Sequence, residues 1–246
     1  MGLLYIFAAS TMEGEGVRKL AVPANSNSPF RCGANDVVLI ISGMGPRSAK
    51  SKAEVALQDA SGAFPVGRAP DAVLIIGLCG GLTASLPEGR IVAYTECLSA
   101  EAAAPLIRSS QTIADSLATL LGSLSIPCDR VVGITSPRFA TTRDERMALA
   151  KFGANVVDME SYSILAAAAA AGIPAAVLRV VSDSINRPLP DFNRALNDSG
   201  GLDGRKALKV ALGSPLRTAR LLAANRRAME RLNKALEIVL KAPCFT

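Results

Sequence analysis

The segment Val156-Val157-Asp158-Met159-Glu160-Ser161, continuing through the Ala-rich run to Ala171, then Gly172-Ile173-Pro174 and Ala175-Ala176-Val177-Leu178-Arg179-Val180-Val181-Ser182-Asp183, decides the fold. Ser161–Ala171 is built from strong helix formers. Gly172 followed by Ile173-Pro174 is a helix stop. The Ala175–Val181 run is then mostly apolar in both phases, as expected of a strand covered on both faces. Working outward, further strands are predicted at Leu3–Ala8, Val37–Ser42, Ala72–Gly77, Ile91–Tyr94 and Arg130–Ile134. Helices are predicted at Glu13–Leu20, Arg47–Ala60, Gln111–Leu121 and Arg143–Phe152. This alternation predicts an α/β fold, a three-layer α/β/α sandwich around a largely parallel or mixed sheet. At 246 residues, with no internal repeat or linker, residues 1–246 read as a single domain.

Composition removes several classes of chemistry. Half the residues are hydrophobic, which excludes a disordered chain. Histidine is absent, so imidazole bases, His-based triads and His-liganded zinc are excluded, and acid–base work falls to carboxylates, Lys, Tyr or Cys. The five cysteines, Cys32, Cys79, Cys97, Cys128 and Cys244, are odd in number and lack C-x-x-C spacing; they read as reduced thiols. No metal site is expected. Gly2–Ala9 lacks the basic flank of a signal peptide, and the apolar run Ile164–Leu178 is short and broken by Gly172 and Pro174. A soluble, cytoplasmic protein is predicted. The net charge of +6 is uneven: residues 1–204 hold 17 basic and 19 acidic residues, and residues 205–246 hold 10 and 2. A basic segment of this kind does not argue for nucleic-acid binding.

Glycines mark three strand–helix junctions: Ala9–Gly16, Ser42-Gly43-Met44-Gly45 and Gly77-Leu78-Cys79-Gly80-Gly81. In open α/β sheets ligands bind beyond the carboxyl ends of the strands, where glycine lets backbone N–H groups approach them. Each loop alone also reads as a tight turn, and none fits a dinucleotide or P-loop spacing. Asp183, Glu160 and Glu15 fall at strand ends and would project over one edge of the sheet. Singly, Asp183 could cap a turn, Asp158 or Glu160 could cap the next helix, and Glu13 or Glu15 could favour a helix dipole.

Together, Asp158-Met159-Glu160-Ser161, Gly172-Ile173-Pro174 and Arg179-Val180-Val181-Ser182-Asp183 resemble the purine nucleoside phosphorylase / methylthioadenosine–adenosylhomocysteine nucleosidase superfamily. The two later glycine loops and Met12–Val17 fall in family order, so the resemblance covers about residues 3–195. It implies cleavage of a purine N-glycosidic bond through an oxocarbenium-like sugar. On this reading Asp183 protonates the leaving base, for which an aspartate needs burial or a neighbouring negative charge. Glu160 grips the ribose hydroxyls, Met159 lies beneath the sugar, and Phe139 stacks on the base. Met12, Met44, Cys79, Gly80 and Ser182 complete the substrate site. Glu15 activates water, with Glu13 as the fallback because the glycines leave the alignment open by a residue. The family's active sites commonly borrow a residue from a neighbouring subunit, so a homo-oligomer is implied.

The nucleophile is water or phosphate. Phosphorylases of this superfamily usually carry Gly-Asp-Pro-x-Arg after the first strand and an Arg before the third-strand glycine. This chain has Ser10-Thr11-Met12-Glu13-Gly14-Glu15 and Ile75-Ile76 there. Water is therefore expected, with no cofactor; phosphate would be a co-substrate only in a phosphorylase, with Arg47 as a substitute clamp. Leu78 departs from the Ser frequent in the hydrolases and leaves the 5′ substituent open.

After Gly213-Ser214-Pro215, residues 216–241 predict an amphipathic basic helix, within a helical segment 203–246. Leu221, Leu222, Met229, Leu232, Leu236 and Val239 share one face, and Arg220, Arg227, Arg231, Lys234 and Lys241 the other. Either the apolar face packs on the domain, or the helix approaches anionic lipid. This tail together with Asp158-Met159-Glu160-Ser161 resembles the hopanoid-associated phosphorylase branch, which acts on adenosylhopane. Two rivals belong to other classes: a nucleoside-binding protein without turnover, and a peripheral membrane adaptor that uses only the basic helix.

Overall fold

The computed structural model describes residues 2–20, 30–33, 35–58, 68–101, 104–197 and 201–242. Strand β1 (Gly2–Ala8) shows why the sheet is covered on both sides. Leu3, Tyr5 and Phe7 enter one hydrophobic core, while Leu4, Ile6 and Ala8 enter the other, and all six are buried. On one side helices α2 (Pro46–Gln58) and α5 (Ser161–Ala170) pack on the sheet. On the other side lie α1 (Thr11–Leu20), α3 (Gln111–Ser123) and α7 (Pro215–Lys241). This is the three-layer arrangement that the alternation predicts.

The remaining strands are β2 (Phe30–Cys32), β3 (Asn35–Ile41), β4 (Ala72–Gly81), β5 (Ile91–Ser99), β6 (Ile107–Arg108), β7 (Cys128–Thr135), β8 (Val156–Asp158) and β9 (Ala175–Asp183). The order β2-β3-β1-β4 runs as an ordinary sheet, with β1 parallel to both β3 and β4. Beyond β4 the sheet is not open. Strand β9 pairs parallel with β4 and antiparallel with β5; β7 pairs parallel with β5 and β8; β8 pairs antiparallel with β4. Five strands thus close a ring, and every residue of β9 is buried. The sheet is mixed, as the fold class expected from the sequence allows, and it closes on itself at one end. A sequence alternation of strands and helices carries no information on which strands pair.

The predicted strands extend at their carboxyl ends, β4 to Gly81, β5 to Ser99 and β9 to Asp183, so the glycine and acidic residues at those ends are themselves ladder-paired. Helix α4 (Arg143–Ala150) starts on a capping box between Thr142 and Glu145. The predicted Arg47–Ala60 helix is seen as Pro46–Gln58, and its last two predicted residues lie outside the described ones. Cys32, Cys79, Cys97 and Cys128 are free thiols, and Cys244 lies outside the described residues.

A short 3-10 helix (Phe192–Ala195) leads toward α6 (Gly204–Gly213), capped by Asp203, and then α7. The second half of α7 packs as predicted: Met229, Leu232, Leu236 and Val239 are buried. In the first half Ala224 is buried and Leu221 half-buried, but Leu222, expected on the packed face, is 63% exposed. Of the opposite face, Arg231 donates to the Gly89 carbonyl, so that face is partly in contact too. No helix among the described residues is long and apolar enough to cross a membrane.

Candidate active site

The site forms where the ends of β4, β8 and β9 meet the start of α1, around one buried arginine. Arg179 stands in an otherwise apolar strand, and a guanidinium there must find acceptors. Its Nε donates to Ser161 Oγ at 3.1 Å and lies 3.2 Å from Asp158 Oδ2. Its Nη1 donates to the Leu78 carbonyl at 2.8 Å, and its Nη2 donates to Glu160 Oε2 at 3.2 Å. Every arm of the fork is used.

Asp158 is the structural partner in this group. Its Oδ1 accepts from Thr135 Oγ1 at 2.7 Å and from the N–H groups of Glu160 and Ser161, both at 3.0 Å. Its Oδ2 accepts from Tyr94 at 2.9 Å. Burial pushes its carboxyl up, but Arg179 and these donors outweigh that and hold it below the ordinary range. Of the two cap candidates in the sequence, Asp158 satisfies the start of α5, and Glu160 does not.

That leaves Glu160 available to the cavity. Its Oε1 accepts from Gly45 N at 3.0 Å, across 115 residues of sequence, so the Ser42–Gly45 loop and α5 share one carboxylate. Gly45 has φ +86°, which only glycine adopts without strain. Burial pushes Glu160 up to about 7, aided by the charges of Asp158 and Glu13 and opposed by Arg179.

The two glutamates on α1 separate cleanly. Glu13 is buried, and its carboxylate accepts from Leu78 N at 2.9 Å and Ala9 N at 3.0 Å. Burial raises its pKa against the pull of Arg179 and those backbone donors. Glu15 points to solvent and pairs with Lys19 at 2.8 Å. Placing Glu15 in the site is therefore corrected: two residues along a helix is a turn of about 200°, which puts it on the far face. Gly77 makes room for Glu13. A Cβ at position 77 would lie 2.6 Å from Glu13 Oε1 and 2.9 Å from Arg179 Nη1, and its φ is +148°.

Asp183, at the end of β9, lines the same cavity. Arg146, fully buried on α4, pairs with its Oδ1 and also donates to the carbonyls of Ala140, Gly81 and Ser184. Ser182 Oγ lies 2.5 Å from Asp183 Oδ2 and 3.2 Å from the Cys79 carbonyl.

These groups line one cavity of about 220 Å³. Met44, Cys79, Gly80, Phe139, Met159, Glu160, Ser182 and Asp183 all contribute to its wall, and Met12, half exposed, also lines it. Phe139 meets Phe192 edge-on, with ring centroids 6.4 Å apart. The Asn193 amide clamps the Phe139 backbone at both N–H and C=O. Arg47 is exposed at the first turn of α2 and does not reach the cavity wall.

Sequence reasoning missed Arg146, Phe192 and the central role of Arg179. The last had a signal, since an arginine inside an apolar strand announces buried acids. Arg146 and Phe192 had none, because neither stands in a pattern that its own segment reveals.

The sequence model of the phosphorylase superfamily matches residues 28–200. No curated protein matches the chain in sequence. Among solved structures, the chain is similar to 5′-methylthioadenosine/S-adenosylhomocysteine nucleosidase from Neisseria meningitidis in complex with methylthio-immucillin-A. The TM-score is 0.73 at 15% identity, over 98% of this chain and 99% of that one. It is similar to S-adenosylhomocysteine nucleosidase from Streptococcus pyogenes in complex with 5-methylthiotubericidin, with TM-score 0.73, 16% identity and coverage of 98% and 96%. It also resembles futalosine hydrolase of Helicobacter pylori, with TM-score 0.71, 15% identity and coverage of 97% and 98%. At these identities the structural likeness speaks to the fold, and it agrees with the sequence match over most of the chain: the protein belongs to the phosphorylase superfamily.

Proposed function

We propose that the protein is an enzyme that cleaves the N-glycosidic bond of an adenosine-type, 5′-modified nucleoside with water and releases the free base. The observation that carries this reading is a cavity whose lining holds Glu13 and Glu160 beside Arg179 and Asp183 beside Arg146, with both buried arginines already engaged. Glycosidic cleavage needs acid on the leaving-group side and anionic stabilisation and a base on the sugar side. In the proposed arrangement Asp183, beside Ser182 Oγ, passes a proton to the purine N7. Glu160 binds the ribose hydroxyls and stabilises the developing cation, with Met159 beneath the ring. Glu13 takes the proton of the attacking water. Phe139, held against Phe192, stacks on the base.

Phosphate is disfavoured because a dianion needs donors that are not already paired. The two buried arginines of the cavity wall, Arg146 and Arg179, are both committed to carboxylates and carbonyls, and the third, Arg138, is exposed. The test is release of adenine from adenosine, methylthioadenosine and adenosylhomocysteine with and without phosphate. Phosphate-independent release supports water; strict phosphate dependence overturns it. Asp183→Asn separates enzyme from binder, since an enzyme loses about 10³-fold in turnover while keeping ligand affinity.

A second reading concerns the 5′ group. Leu78, Met44, Leu189 and Leu221 line the same cavity. They favour an apolar 5′ substituent, up to a lipid-linked adenosine of the adenosylhopane type. Release of adenine from such a substrate, with none from the three small nucleosides, would select it.

A further inference from the structure

Helix α6 has no buried residue along its ten positions. Its half-buried Ala207, Val210 and Ala211 lie on the side available to the 3-10 helix and α7, the two elements with which it makes its main contacts. Leu208 and Leu212, one turn apart on α6, are 59% and 70% exposed, and Leu216, just past the Ser214 break, is 73% exposed. An isolated exposed leucine means little, but three at the tip of one arm form an unpartnered apolar edge.

The same arm is strongly cationic. Arg205, Lys206 and Lys209 are exposed on α6, and Arg217 and Arg220 on the first turns of α7. Arg217 and Arg220 join Arg187 around a second hollow that Pro188, Leu189 and Leu221 also line. Among the described residues no ion pair engages Arg217 or Arg220, whereas Arg187 is held by Glu88 at 2.7 Å. Leu189 and Leu221 belong to both this hollow and the wall of the active-site cavity. The arm therefore stands at the cavity mouth.

We infer that the α6–α7 arm docks the protein on an anionic lipid surface, with Leu208, Leu212 and Leu216 entering the headgroup boundary and Arg217 and Arg220 seating phosphates. Charge complementarity commits the occupant. Leucines interleaved with unpaired arginines match the two components of such a surface, apolar chains and anionic headgroups. Docked this way, the cavity mouth lies next to the bilayer, and an apolar 5′ chain can remain in lipid while its nucleoside enters. That consequence rests on the proposed activity; the docking itself does not.

The experiment is co-sedimentation of the full chain with vesicles of phosphatidylglycerol and of phosphatidylcholine at low ionic strength. Binding to phosphatidylglycerol, lost on adding salt, and none to phosphatidylcholine is expected. At about 1 kcal/mol per basic residue near an anionic surface, Arg217→Ser with Arg220→Ser cuts partition about thirtyfold. Leu212→Ser with Leu216→Ser lowers it as well, and both variants keep the wild-type circular dichroism melt. Three results overturn the inference: no sedimentation with phosphatidylglycerol, sedimentation unchanged in both variants, or a wild-type dimer that Leu212→Ser dissolves, which would make the edge a contact between copies. Adenine release is not the readout, so failure of docking and failure of the proposed activity are seen separately.

Discussion

Arginine is used in two opposite ways in this molecule. At the sheet edge Arg179 and Arg146 are buried, and each of their nitrogen groups meets a carboxylate, a hydroxyl or a carbonyl. On the α6–α7 arm Arg217 and Arg220 are exposed and without ion pairs among the described residues. The first kind organises acids and is costly to disturb, because the partners it leaves behind remain buried. The second contributes little to folding and is free to meet something outside the protein. Position in the fold, not residue type, separates them.

The sharpest break in that contrast is Arg179→Met. Removing one member of a buried ionic group is expected to destabilise the protein by about 3–5 kcal/mol in urea unfolding, since Asp158 and Glu160 lose their shared partner. Wild-type stability in that variant would mean that the arginine organises nothing. The pH dependence of stability comes next. Glu160 titrates at about 7 when folded against an ordinary 4.5, so the folded protein keeps a proton that the unfolded chain has lost. That contribution is complete below pH 4.5 and disappears as pH rises through 7. At about 1.4 kcal/mol per pH unit it amounts to about 3 kcal/mol. Glu160→Gln is expected to flatten this decline, and an unchanged profile would reassign it to other groups such as Glu13.

Smaller still is the comparison of neighbours on α1. Glu13→Gln is expected to slow turnover about 10²-fold with the fold intact, while Glu15→Gln, which loses only an exposed pair with Lys19, leaves kcat within twofold. Equal effects would place the base elsewhere. The smallest change belongs to the arm: Leu212→Ala, at 70% exposure, is expected to shift unfolding free energy by less than about 0.5 kcal/mol. A drop of core size would show that this leucine is covered in solution.

The sequence carried the layers and much of the site, because both are written in local patterns. The two apolar phases of Leu3–Ala8 announced a strand covered on both faces, and Asp158-Met159-Glu160 and Ser182-Asp183 stand on the cavity wall. What escaped is what depends on distance. Glu13 and Glu15 look alike in a string, and only the way α1 lies against Leu78 separates them. Leu222 falls on the same face as Leu232, but helical phase does not say which turns of a helix are covered. Arg146 reaches Asp183 across 37 residues, a pairing that no spacing rule contains.

Strand β9 has a consequence for how the protein comes apart. It is flanked by β4 and β5, shares in a closed ring, and carries both Arg179 and Asp183. Amides locked inside such a ring exchange with solvent only when the whole sheet opens. The residues proposed to act on the base thus ride on the segment that local breathing reaches last. On heating, the ability to bind nucleoside and the last protected amides of residues 177–181 are expected to vanish at one temperature, with no partly melted form that has lost its site but kept its sheet.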